Sequence, residues 1–544
     1  MEKILVTSAL PYCNNIPHLG NIVGSTLSGD IYHRFQQLVG NQSIYVCGTD
    51  VHGTAIEIEA KREKMSCQDL CEKYSSEHKK IYDWFNISFT VWGSTNSQKH
   101  HELVQEAFMN LYNYGVIVEK TVEQMFCQEC YIFLPDRYIS GECYHPLCKN
   151  KKVTTNGDQC DKCLHMIDAT LLLNPKCNFC QHTPIIKNSD HLFLNLKILS
   201  DNIKKYNDNI NHTNQVQSII KSWLDKGLEA RCITRDLEWG VAVPWERCHK
   251  LNKYKNKVFY VWFDALLGYY SFLLNDKEYS DWLNPETNIV QFMGKDNIAF
   301  HTIILPATVI GSQLKFPLYN KIASTDYLLY EGKKFSKSKK IGLFGNDVIK
   351  MSQELGINED YWRYYLMKIR PEHHDSSFSL DEFCQCVNTD LINNIGNFTN
   401  RTITLTKKEN MIELKFCPEY YIVTDIHQVI IDYNDCMENC HFKKAINYIL
   451  RLGDMGNQYL QTTKPWKLDD KDELLAVLST SNLLCFIMFK LLLPFIPNTA
   501  SRILGCYNVE NGDNIIRNCH LLENNIHIVL DTKNYLLPFK KLQL

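Results

Sequence analysis

Apolar runs and helical patterns take turns along the first hundred residues. "KILVTS" (3–8) and "QSIYVCGTD" (42–50) are almost unbroken stretches of β-prone residues. Between and after them, "VGSTLSGDIYHRFQQLVG" (23–40) and "TAIEIEAKREKM" (54–65) space their apolar positions as helices do. Gly40 stops the first helix and Asn41 opens the turn into the second strand. Strand, helix, strand is the signature of a parallel sheet with crossover helices. Strand-like runs return at "KVFYVWFDA" (257–265), "NIVQFMG" (288–294) and "KFPLYNKIAS" (315–324). The region 120–190 has another texture, with paired cysteines, turn residues and short apolar pieces, so it reads as an insertion splitting the α/β sheet. Beyond about residue 350 the glycines thin out. "SLDEFCQCVNTDLINNIGNFTNRTITLTKK" (379–408) opens with Ser379 and, three residues on, Glu382, a capping-box pattern. "HFKKAINYILRLGDMGNQYLQ" (441–461) and the run 470–496 continue as a helical bundle. A polar tail from about 510 contains the β-like "IHIVL".

The expected architecture is therefore α/β: a Rossmann-like catalytic domain in two halves, 1–115 and 231–325. A connective insertion fills 116–230. A loop and linking region covers 326–370, and a helical domain with a C-terminal extension covers 371–544. At 544 residues, two to four domains is the natural division. "LLCFIMFKLLLPFI" (483–496) is interrupted by Lys490 and Pro494 and reads as a buried helix, so no membrane partner is expected. "MEKILVTSAL" lacks the basic start and cleavage site of a signal peptide, which makes cytoplasmic the expected location. The formal net charge is −3, so nucleic acid would have to be met by local basic patches such as 149–152 and 332–340.

Composition changes the picture at one point. Eight of the 22 cysteines lie between residues 127 and 180, as Cys127/Cys130, Cys143/Cys148, Cys160/Cys163 and Cys177/Cys180. Four pairs in a chain without a secretory start suit two tetrahedral zinc sites, each held by four cysteines, better than disulfides. Spacing leaves two pairings open, sequential or nested, and leaves His145 as an alternative ligand to Cys148. A small insert of this kind needs a metal as a staple.

Two motifs carry chemistry. "ALPYCNNIPHLGN" (9–21) sits where the first strand hands over to a helix, the place where phosphates meet free backbone N–H groups. His18 and Asn21 share one helical turn, and Gly20 leaves room for something flat. "EGKKFSKSKK" (331–340) offers Lys334 and Lys337 on a loop that can close on a triphosphate as its charge redistributes. In this order, with "CGTDVHGTA", "FNISF", "FLPDRY", "CITRDLEWG", "FYVWFDALLGY", "FMGKDN" and "FHT" between them, they resemble the signatures of class I aminoacyl-tRNA synthetases, and within these the methionyl-tRNA synthetases of eukaryotic cytosolic and archaeal style. The resemblance runs from residue 4 to about 500.

That resemblance implies a methionine–tRNA ligase using ATP, with Mg²⁺ on the nucleotide, L-methionine and tRNA(Met) as partners. It implies a methionine site of Ala9, Leu10, Tyr12, Asp50, Trp262, Ala265, Tyr269 and His301. Asp50 would pair with the ammonium, and the Leu10 N–H and Tyr269 hydroxyl would donate to the thioether sulfur. ATP would meet Tyr12, His18, Gly20, Asn21, Lys334, Ser336, Lys337 and Ser338. Of these His18, Asn21, Lys334 and Lys337 are the catalytic set. Asn397, Arg401 and Trp466 would read the anticodon. The family favours nested pairing of the cysteines and a place for the knuckles beside the tRNA acceptor end. Two positions depart from the pattern: Asn21 stands where a second histidine is common, and Leu266 where bacterial relatives carry proline. A small-molecule adenylyltransferase shares the first motif but has no use for the long helical domain. A relative that only binds tRNA would not need Asp50 and the lysines. A monomer is expected, with membership of a multi-synthetase assembly left open.

Overall fold

A computed structural model describes the chain except residues 1, 149–150, 158–159, 161, 164–166, 337–340, 418–419, 534 and 543–544. Its centre is a five-stranded sheet of β1 (Lys3–Ser8), β2 (Gln42–Thr49), β3 (Val91–Ser94), β4 (Asn288–Gly294) and β5 (Lys321–Thr325), in the spatial order β5-β4-β1-β2-β3. All four pairings are parallel. Parallel strands buried on both faces need unbroken apolar stretches, which is why β1 and β2 read as they do. The order reverses between β1 and β4, and the carboxyl ends of strands at such a reversal frame a crevice. Helix Leu27–Leu38 returns the chain from β1 to β2 and ends at Gly40, whose φ of +83° favours glycine.

The chain leaves the sheet after β3 and comes back at β4. In between lie a four-stranded antiparallel sheet built on Ile117–Cys127 and Ile185–Leu194, and a three-stranded sheet of Ile139–Glu142, Thr154–Asn156 and Leu173–Cys177. The strand expected over 257–265 is shorter: Val258–Phe259 pairs with Thr234–Arg235 outside the central sheet, and the chain then turns helical from Val261 to Leu274. Val261, Phe263, Leu266, Leu267 and Tyr270 are all buried, so the segment is apolar on every side and its helical period is invisible in sequence. Likewise only the last four residues of the run 315–324 belong to a strand, Lys321–Thr325.

The C-terminal part is helical. Leu380–Lys408 runs continuously through a π-helical stretch at Val387–Gly396. Ser379 caps it by accepting from the Glu382 backbone N–H, the half of the capping box that the structure contains. Phe442–Thr463 and Lys471–Leu492 pack against it; Tyr420–Glu438 packs on Phe442–Thr463, and Pro497–Leu504 on Lys471–Leu492. Lys471–Leu492 is long and apolar enough to cross a membrane, but 83% of its most apolar window is buried inside the fold, so packing accounts for its composition. "IHIVL" is the middle strand of a small antiparallel sheet with Glu413–Phe416 and Tyr507–Val509.

The two parts are joined through charge as well as apolar surface. Arg363, fully buried, donates to Asp30 on helix Leu27–Leu38 at 2.7 Å and to the carbonyls of Phe85, Pro494 and Phe495. Burial alone would raise the Asp30 pKa; Arg34 and Arg363 outweigh it and hold the carboxyl below its ordinary range.

Candidate active site

The opening motif folds as a turn that caps its own helix. His18 Nδ1 accepts from the Asn21 N–H at 3.3 Å, and Asn21 Oδ1 accepts from the His18 N–H at 3.2 Å. The helix begins at Leu19, so the asparagine replacing a histidine serves as a reciprocal cap. A Cβ on Gly20 would meet the His18 imidazole at 3.0 Å, so the bare face of this glycine is covered by that ring. On the ring's other side lies the second motif. The Phe335 ring stacks on His18 with centroids 4.3 Å apart and planes 4° from parallel. Gly342, with φ of +105°, leaves the space that Phe335 occupies. The Leu19 N–H donates to Leu343 O and the Gly345 N–H to Pro17 O, pinning the two motifs together. Burial pushes the His18 pKa down to about 4, so the ring is neutral near pH 7.

A cavity of about 510 Å³ opens at the carboxyl ends of β1 and β4. Ala9, Leu10, Tyr12, Asp50, Trp262, Ala265, Tyr269 and His301 all line it, and so do His18, Gly20 and Asn21. Sequence positions almost 300 residues apart thus meet in one space. Asp50 lies just beyond β2, fixed by two backbone bonds, Cys13 N–H to Asp50 O and Asp50 N–H to Pro11 O. The residue is 3% exposed. Burial, then the nearby Asp264 carboxylate, raise its pKa well above normal. Two buried carboxylates close together make this end of the cavity a place for a cation.

At the other end Tyr269 and His301 form a chain. His301 Nδ1–H donates to Asn297 O at 2.9 Å, which leaves Nε2 as the acceptor for the Tyr269 hydroxyl at 2.9 Å. The Leu10 backbone also bonds to that hydroxyl. The Tyr269 proton and the Leu10 N–H, expected to face a sulfur atom, are therefore engaged, the first with His301 Nε2 and the second with the Tyr269 oxygen. Burial holds His301 down at about 4 and keeps Tyr269 protonated. Trp262 stacks on Phe300, centroids 3.8 Å apart.

Lys334 is exposed, with its Nζ 4.9 Å from the centre of the Tyr327 ring, and Ser336 exchanges two backbone bonds with Ile341. Neither lines the cavity. Lys337 and Ser338 lie outside the described residues. Several participants escaped the reading of the sequence. Asp296, Asn297 and Tyr327 line the cavity, and Tyr327 donates to Asp296 at 2.7 Å. Behind the wall, His52 Nδ1 bonds Asp264 Oδ2 at 2.8 Å, both side chains buried. "VHG" and "FDA" contained these residues, but their pairing over 212 positions has no local signal.

The cysteines sort into two groups: Cys127, Cys130, Cys177 and Cys180, and Cys143, Cys148, Cys160 and Cys163. This is the nested pairing. Sulfur separations include 3.3 and 3.9 Å in the first group and 3.8 and 3.9 Å in the second. Four thiolates about 2.3 Å from one zinc stand about 3.8 Å apart, so both groups fit. His145 is not in the second set; its Nδ1 accepts from the Leu147 N–H instead. The His182 backbone N–H draws the Cys180 thiol down to about 6, toward the ligating thiolate.

On the helical part, Asn397, Arg401 and Trp466 come together from two elements. Asn397 and Arg401 line a groove of about 650 Å³ with Asn394, Asn457 and Gln461. The Arg401 guanidinium lies 5.2 Å over the Trp466 ring, and Trp466 stays 47% exposed in a single turn, Pro465–Lys467.

The family model of class I tRNA synthetases (M) matches residues 4–403, and that of the anticodon binding domain of methionyl tRNA ligase matches residues 417–523. The chain belongs to the class I tRNA synthetases of the methionyl type. A methionine–tRNA ligase of Acanthamoeba polyphaga mimivirus is 46% identical over 550 residues, spanning 100% of this chain and 98% of its own. The cytoplasmic methionine–tRNA ligase of Arabidopsis thaliana is 40% identical over 93% of this synthetase-family chain, which spans 65% of the plant protein. Mycobacterium tuberculosis methionyl-tRNA synthetase, solved in complex with methionyl-adenylate, has the same fold: TM-score 0.73 at 21% identity, with 93% of this chain and 94% of that one covered.

Proposed function

We infer that the chain is a methionine–tRNA ligase and that the cavity below β1 and β4 is where it activates methionine. The observation that carries this is the convergence of Asp50, Trp262, Tyr269 and His301 with His18 and Asn21 on one cavity. The methionine ammonium pairs with Asp50. Its side chain runs along Trp262 toward the Tyr269–His301 pair, where sulfur–aromatic contact contributes about 0.3–1.5 kcal/mol. To donate to sulfur, Leu10 and Tyr269 exchange their present partners for the substrate; His301, neutral and held by Asn297, keeps its orientation meanwhile.

A methionine carboxylate oxygen then attacks the α-phosphorus of ATP. The bond from that phosphorus to the bridging oxygen breaks, and pyrophosphate leaves. In the second step a hydroxyl of the tRNA 3′-terminal ribose attacks the methionyl carbonyl carbon, and AMP departs with the anhydride oxygen. Both steps ask for positioning and charge stabilisation rather than for a protein nucleophile. His18 and Asn21 hold the phosphates, and Lys334 and Lys337 swing in to neutralise developing charge. Mg²⁺ bound to ATP supplies further neutralisation of the phosphate oxygens. The two cysteine groups hold structural zinc ions, and Asn397, Arg401 and Trp466 read the anticodon by stacking and hydrogen bonding. We place the enzyme in the cytoplasm, as a monomer.

Exchange of labelled pyrophosphate into ATP without tRNA tests this. Exchange with methionine and not with leucine or isoleucine is expected. Folded, zinc-loaded protein that supports no exchange with any amino acid would overturn the catalytic reading.

A further inference from the structure

We propose that His52 and Asp264 are positioning residues for the amino-acid site, acting through Asp50. The proposal rests on the reading of the cavity as a methionine site. His52 bonds in two directions. Its backbone N–H lies 3.4 Å from Asp50 Oδ1, and its Nδ1–H donates to Asp264 Oδ2 at 2.8 Å. Asp264 ends the short helix Val261–Asp264, whose Trp262 lines the cavity and which Ala265 follows. One histidine therefore ties the turn carrying the ammonium-binding carboxylate to the wall carrying the indole.

Neither His52 nor Asp264 lines the cavity, so neither touches substrate. Both are all but fully buried, at 1% and 0% side-chain exposure. A carboxylate so deep is costly where only packing is needed. Among the described residues Asp264 Oδ1 and His52 Nε2 have no hydrogen-bond partner, so the bond between Nδ1 and Oδ2 is what joins the two side chains to each other. The imidazole is boxed in by His101, Trp239 and His100, with ring centroids 5.5, 5.9 and 6.4 Å away. With Asp264 in place the ring has one orientation, and the backbone N–H beneath it stays aimed at Asp50. Without Asp264, a buried N–H is left unpaired, and the turn that carries Asp50 loses its tie to the Trp262 wall.

The test is methionine-dependent pyrophosphate exchange with separate KM values for methionine and ATP. Asp264→Ala should raise the methionine KM about tenfold, the effect of leaving one buried donor unpaired, with the ATP KM within about twofold. Asp264→Asn keeps a carbonyl acceptor for His52, and should return the methionine KM to within about threefold of wild type. In an Asp50→Asn background, Asp264→Ala should add less than about twofold, because residues acting through one another are non-additive. Equal penalties in both backgrounds, an Asn variant as poor as the Ala variant, or an unchanged methionine KM would overturn the pair's role while leaving the ligase reading intact. A wild-type enzyme silent with methionine would overturn both.

Discussion

His18 shows how much one side chain is asked to do. It caps the first helix, covers Gly20, stacks on Phe335 and lines the cavity. Replacing it with alanine removes the proposed phosphate donor and the ring on which Phe335 stacks. We expect His18→Ala to lower kcat of pyrophosphate exchange about 100-fold or more, with a small change in methionine KM, as loss of a transition-state donor does. Tyr269→Phe asks a different question. It leaves His301 Nε2 and the Leu10 N–H without their partner in a buried site. The methionine KM should rise about tenfold, with the ATP KM unchanged, since an unmade buried hydrogen bond costs about 1–3 kcal/mol. His18 stood out in the strand-to-helix motif, whereas Tyr269 was singled out only through the family resemblance. Their present partners were legible in neither way, because Phe335 and His301 reach them only through the fold.

Among elements, the cysteine-rich insert and the anticodon helices behave as separable devices. Cys177→Ser breaks one cluster and spares the other. Metal analysis of purified protein should find bound zinc fall by about one equivalent, with a lower melting temperature, since structural zinc contributes folding free energy directly. Spacing announced four cysteine pairs and the resemblance favoured nesting them; the sheets bring residue 127 beside 180 and 143 beside 163. Arg401→Ala or Trp466→Ala should lower kcat/KM for aminoacylation of tRNA while leaving tRNA-independent exchange intact. The loss expected is about 1–3 kcal/mol for each stacked base. Nothing in "KPW" separates a base-stacking tryptophan from a core one. The structure leaves Trp466 47% exposed with a guanidinium above it, which is what the proposed role requires. The helix from Val261 was hidden because burial on all sides erases the period by which sequence reveals a helix.

At the scale of the whole molecule, Arg363 and Asp30 join the catalytic and helical parts. Arg363→Met leaves Asp30 with Arg34 and Ser88 and takes a donor from the carbonyls of Phe85, Pro494 and Phe495. We expect destabilisation of about 3–5 kcal/mol in chemical denaturation, the usual result of removing one partner of a buried pair. Acid acts in two stages. His18 and His301 have folded pKa values of about 4, below the unfolded value of about 6.5, so the unfolded chain takes protons first. Their contribution is complete above about pH 6.5 and is lost as pH falls toward about 4, lowering the melting temperature across that range. Asp30, depressed by its arginines, adds a second loss below about pH 3.9, as pH falls through its folded pKa. By itself the sequence determined the α/β alternation, the split sheet, the helical C-terminal part, the four cysteine pairs and the motifs around His18 and Lys334. These follow from local periodicity, from spacing and from residue chemistry, all of which act over a few positions. Only the tertiary structure decided which cysteines cluster, that Phe335 lies on His18, that His52 meets Asp264, and that Arg363 closes on Asp30. Each depends on partners tens to hundreds of residues apart, brought together because the parallel sheet must bury both faces and the helices must cover it.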